Sequence, residues 1–248
     1  MSRIDVTIPT RDGQCPATLF TPAGKTGSWP GVIFFMDGLG IRPAMWEMGQ
    51  HLADLGYTVL LPDLYYRAGG YAPMVPAQVF ADPAQKDLLM QRIGSLNRER
   101  NIADAGAFID FLLARPEVQG EHLGSTGYCM GGNVALTVAG AYPDRFAAIG
   151  SFHGGGLATD AQDSPHRFLQ GVKGRVYVAG ADQDAHFSSE QMALLEKALA
   201  EAGVDHRVEI YAGAMHGYAV PDHPAFDAEA AERHWRELSS LFGKTLTR

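Results

Sequence analysis

Cysteine is scarce in this chain: Cys15 and Cys129 are the only two among 248 residues. Two thiols do not build a disulfide framework, and neither sits in a CxxC or Cys/His spacing that would hold zinc. Basic residues are in deficit, 20 Lys and Arg against 28 Asp and Glu for a net charge of −8, and no basic stripe appears, which argues against nucleic acid as a partner. No apolar run approaches the ~18 residues a membrane helix needs, so no membrane partner is expected. The opening MSRIDVTIPTRDG lacks the apolar stretch of a secretory leader. The expectation is a cytoplasmic chain in reducing surroundings, where a lone thiol is free to be a working group. Repeats, low-complexity tracts and composition breaks are missing as well. With 46% hydrophobic residues the chain can bury an ordinary globular core, which excludes a disordered chain and predicts one domain over 1–248.

What is present is a recurring unit: a short apolar run, a turn, then an amphipathic stretch. Ile4, Val6 and Ile8 alternate, and after Arg11-Asp12-Gly13 the stretch Gln14 to Phe20 completes an antiparallel hairpin. The later runs are continuous (Val32 to Met36, Thr58 to Leu61, Leu123 to Tyr128, Ala147 to Phe152, Arg175 to Ala179, Arg207 to Tyr211), as in a sheet covered on both faces. Helical spacing falls between them, over Met45 to Leu55, Arg98 to Ala114, Gly131 to Ala141, Glu190 to Ala202 and Ala228 to Phe242. The pattern predicts an α/β fold with about eight strands, mostly parallel, and helices on both faces. Residues 63–97 break the pattern. Rich in Gly and Pro and carrying Tyr65, Tyr66 and Tyr71, they read as an irregular, lid-like connection.

The sharpest motif is Gly127-Tyr128-Cys129-Met130-Gly131-Gly132, placed after an apolar strand and before a small-residue helix. It has the form of a nucleophile elbow, G-x-S-x-G, with cysteine in the serine position. Such a turn is strained, the flanking glycines allow strand and helix to approach, and the helix N-terminus favours a thiolate. The thiol needs a base, and His216 in Gly213-Ala214-Met215-His216-Gly217-Tyr218 follows the last strand, where the α/β-hydrolase chain order puts it. The acid that orients the ring belongs after Arg175 to Ala179. Asp182 and Asp184 both qualify, and spacing does not choose between them. The alternation Asp182, Asp184, His186 also has the form of metal ligands, but no further cluster completes a site, so no metal and no cofactor are expected. Backbone N–H groups of Met130 and of the loop Asp37-Gly38-Leu39-Gly40 are the candidate oxyanion donors. His153-Gly154-Gly155-Gly156 matches a lipase string but follows the nucleophile, so it reads as a pocket-lining loop. Cys15 reads as a bystander.

With these residues placed, nearly the whole stretch from Gln14 to Phe242 resembles the dienelactone hydrolase family of α/β-hydrolases. Gly127-Tyr128-Cys129-Met130-Gly131-Gly132 looks like its G-x-C-x-G-G, Leu61-Pro62-Asp63-Leu64-Tyr65 like its P-D-L-Y segment, and Tyr211 to Tyr218 like its histidine loop. Asp184-Ala185-His186-Phe187 resembles its acid segment, which selects Asp184. The resemblance implies a Cys129, Asp184, His216 triad, and for Asp37, where the family usually has Glu, the role of holding the resting thiol. An Arg that grips the substrate carboxylate in dienelactone-cleaving members is here Val220. Arg67 and Arg98 are candidates to replace it.

The resulting expectation is a hydrolase of a small ester or lactone, working through a Cys129 thioester as a monomer or homodimer. Met130 and Gly38 would hold the oxyanion, and Leu39, Tyr65, Tyr128, His153 and Tyr218 would line the substrate pocket. A catalytically silent binding protein and a thiol sensor of oxidants or electrophiles are the alternatives.

Overall fold

The continuous apolar runs become the centre of one sheet, because strands whose two faces are both covered need no polar side. In the computed structural model, which describes residues 2–246, the strands are β1 (Arg3–Thr10), β2 (Gly13–Phe20), β3 (Trp29–Phe35), β4 (Thr58–Pro62), β5 (Val118–Tyr128), β6 (Phe146–Phe152), β7 (Arg175–Gln183) and β8 (His206–Met215). They lie in the order β1-β2-β4-β3-β5-β6-β7-β8. The hairpin β1–β2 joins β4 antiparallel, and every pairing from β4 onward through the sheet is parallel. The sequence expectation of about eight strands, mostly parallel, holds.

The helices are α1 (Pro43–Asp54), α2 (Pro76–Ala81), α3 (Pro83–Gly94), α4 (Arg98–Leu113), α5 (Met130–Ala141), α6 (Ser189–Glu201) and α7 (Ala228–Thr245). On one face α1 and α7 meet through His51 and Trp235, while α4 and α5 pack together on the other. The chain passes from β3 through α1 to β4 on one side of β3, then returns to β5 on its other side. Connections therefore diverge at the carboxyl ends of β3 and β5, the place where an open α/β sheet leaves a crevice. Among the described residues no helix is long and apolar enough to cross a membrane.

The connection 63–97 differs from its expectation. It is largely helical, with α2 and α3 inside it. Pro76 and Pro83, part of the proline content that made the stretch read as irregular, each start a helix, where a missing N–H costs nothing. Asp82 caps α3 by accepting the Ala84 N–H at 2.9 Å. Met74, Val79 and Leu89 pack with Leu39 as a small core of their own, which seats this segment over the crevice.

Candidate active site

Cys129 sits at the turn from β5 into α5 with φ 55°, one of two non-glycine residues in the left-handed region among those described. A side chain there is strained by roughly 1–2 kcal/mol, so the surroundings must hold it. The glycines explain how. A Cβ on Gly127 would fall on the Gly131 carbonyl, one on Gly131 on the Phe35 and Met36 carbonyls, and one on Gly132 on Ser151 Oγ. Strand and helix can approach this closely only without those side chains. The Cys129 N–H is tied to the Phe152 carbonyl at 3.1 Å. The thiol itself is partly exposed, at the floor of a cavity of about 740 Å³.

His216, just past β8, turns its ring toward the sulphur. Its Nδ1 lies 2.7 Å from Asp184 Oδ2. Burial of the ring disfavours its charge, but hydrogen bonds with Asp184 and with Cys129, and the charge on both, outweigh this and push its pKa up to about 10. The imidazole thus stands between a carboxylate and the sulphur, surroundings that favour its charged form. Asp184 Oδ1 also accepts the His186 N–H at 2.8 Å, which fixes the carboxylate at the start of its turn. Asp182 is occupied elsewhere and accepts the Gly213 N–H at 3.0 Å. Of the two carboxylates that spacing left open, the geometry brings Asp184 to His216.

Met130 and Gly38 both line the cavity beside Cys129. The Tyr65 hydroxyl donates to the Gly38 carbonyl at 2.8 Å, which orients that peptide. Asp37, given the thiol-holding role by the family resemblance, shows no hydrogen bond to Cys129 among the described residues. Arg42 takes both of its carboxylate oxygens, at 2.7 and 2.8 Å, and the Leu39 N–H donates to Oδ1 at 3.0 Å. Arg42, 1% exposed, also donates to both oxygens of Asp222 on the loop after His216. Burial works against the Arg42 charge, but the two aspartates prevail and raise its pKa. This clamp carried no sequence signal, since arginine is ordinarily a surface residue.

Of the five predicted pocket residues, Leu39 and His153 line the cavity. Tyr65, Tyr128 and Tyr218 do not; they are buried behind it. Tyr65 supports the Gly38 loop, Tyr128 pairs with His234 Nε2 at 2.7 Å, and Tyr218 donates to the Ala179 carbonyl at 3.2 Å. His153 is strained as well, with φ 37°, and desolvation keeps its ring neutral. Phe80, Leu89, Met90, Ile93 and Leu96 of the 63–97 connection form one wall instead, and His186 and His223 stand at the cavity with His216. Cys15 is fully buried away from this site, and burial raises its pKa. Arg67 is spent on Asp12 and Asp104, while Arg98 does reach the cavity.

The sequence model described as the dienelactone hydrolase family matches residues 15–246. The carboxymethylenebutenolidase of Rhodococcus opacus is 26% identical over 243 residues, 95% of this chain and 89% of its own. A solved dienelactone hydrolase-like promiscuous phosphotriesterase from metagenomic libraries is similar at TM-score 0.77 and 26% identity, over 99% of both chains. A dienelactone hydrolase of Anabaena variabilis shares the fold at TM-score 0.66 and 21% identity, over 100% of both.

Proposed function

The chain belongs to the dienelactone hydrolase family, and from that premise we propose that it cleaves a carboxylic ester or lactone through a thioester on Cys129. The observation that carries the reading is the arrangement itself: Asp184 Oδ2 at 2.7 Å from His216 Nδ1, with the same ring and the Cys129 sulphur at one cavity. The thiolate of Cys129 is the attacking form, and His216 is the base beside it that can take up the thiol proton.

The Cys129 thiolate adds to the scissile carbonyl, and its oxygen becomes an oxyanion. The Met130 N–H at the start of α5 and the Gly38 N–H receive that charge. As the tetrahedral adduct collapses, the C–O bond to the leaving alcohol breaks and His216 gives the alcohol its proton. The product is an acyl thioester on Cys129. Now neutral, His216 takes a proton from water, whose hydroxyl attacks the thioester. Collapse releases the acid and returns the thiolate beside imidazolium. Asp184 holds the ring tautomer and stabilises its charge throughout.

A panel of activated esters and lactones tests this reading. Turnover should begin with a burst equal to the enzyme present, and alkylation with iodoacetamide should abolish it. Full activity in Cys129→Ala would overturn it.

A further inference from the structure

The cavity has two unlike walls. The lid side is mostly apolar through Phe80, Met90 and Ile93, with Lys86 its one charged residue at the cavity, whereas the first turn of α4 presents Arg98 and Asn101. These two are one helical turn apart, so their side chains share a face.

Neither has its polar groups fully used. Asn101 is 8% exposed, and its carboxamide, at the cavity, forms no hydrogen bond among the described residues. Opening onto the cavity without a protein partner, that amide is available to a ligand. The Arg98 guanidinium stacks over the Phe168 ring at 3.7 Å, which occupies a face and leaves its N–H edge free. Asp163, which also lines the cavity, acts on Arg98 through space and offsets its charge without taking its donors. A carboxylate placed there would face Asp163. An uncharged oxygen would meet two sets of open donors and no repulsion.

We propose that Arg98 and Asn101 form a polar subsite for an uncharged hydrogen-bond acceptor, an amide, ketone or hydroxyl oxygen, at the far end of an otherwise apolar ester substrate. This rests on the ester-hydrolase reading above. Arg98 binds through its free N–H edge, and the Asn101 amide donates and accepts beside it. The scissile carbonyl lies at Cys129 and the apolar body under Phe80 and Met90.

The test compares three activated esters at each of several acyl chain lengths: one ending in methyl, one in primary amide, one in carboxylate. In the wild type the amide-ended ester should show the lowest KM at its best length. In Asn101→Leu the ratio of methyl-ended to amide-ended KM should fall about tenfold, the size of one or two lost hydrogen bonds. Arg98→Met should move the ratio the same way. Equal KM values in the wild type, a preference for the carboxylate, or an unchanged ratio in Asn101→Leu would overturn the subsite while leaving the hydrolase reading intact. Failure of the wild type to cleave any of the three would overturn both.

Discussion

Arg42 bridges Asp37 and Asp222, which places one buried guanidinium between the loop that carries Gly38 and the loop that carries His216. The two loops otherwise come from opposite ends of the chain. Asp222 is followed by His223, whose ring occupies the space a Cβ on Gly217 would need. Displacement of Asp222 therefore reaches His216 through its neighbours.

Removing either partner should separate stability from catalysis. Arg42→Met leaves Asp37 buried without its cation and should cost about 3–5 kcal/mol in chemical denaturation. In Asp222→Ala, Arg42 keeps Asp37 and the lost carboxylate was partly exposed, so stability should change little. Its kcat should nonetheless fall about tenfold with KM nearly unchanged, because the proposed base His216 and the proposed oxyanion donor Gly38 would lose their fixed separation. An unaltered kcat would show that the clamp serves the fold alone.

Gly127→Ala should fail to fold or lose on the order of 4 kcal/mol, since the added methyl would meet backbone rather than a movable side chain. Gly94→Ala, where a Cβ meets nothing, should be neutral or slightly stabilising. Thermal unfolding of the pair checks both.

The His216 cation sets the alkaline limit. Despite burial, Asp184 and Cys129 push its pKa up to about 10, above the ordinary histidine value of about 6.5. The stability it contributes is fully present below that ordinary value and is lost as pH rises through about 10. Activity should fall over the same interval, when the proton for the leaving alcohol is gone. Asp184→Asn removes one source of the shift, so its alkaline limb should move to lower pH in a kcat/KM profile.

His234 sets an acid limit by the opposite sign. Burial pushes its pKa down to about 3, with Nδ1 bonded to the Ala231 carbonyl at 3.1 Å. The neutral ring thus favours the fold above the ordinary value, and that contribution is lost progressively as pH falls from about 6.5 toward 3. His234→Gln should be less stable at neutral pH but lose less on acidification, as denaturation midpoints across that range would show.

Much of this was legible in the sequence. The elbow was readable because its glycines, strand and helix are local and each answers a steric need. The central strands were readable because both their faces are apolar. The ends were not: β7 runs on to Gln183 and β8 to Met215, where polar residues and glycine break the pattern and pairing resumes only past an irregularity between Ala181 and Gln183. Pro76 and Pro83 were misleading because proline both ends and begins helices, and only tertiary packing tells which. Tyr65, Tyr128 and Tyr218 show that an aromatic near a site says buried without saying which side of the wall. Arg42 was invisible, because its two partners lie on separate loops and the pairing is made only by the fold.

The central claim is the acyl thioester on Cys129. Intact-mass and peptide-level mass spectrometry on protein mixed with a slowly hydrolysed activated ester tests it most directly. The expected result is one acyl group per chain, mapped to the peptide containing Cys129, absent in Cys129→Ala. An acyl group on another residue, or turnover in Cys129→Ala at the wild-type rate, would contradict it.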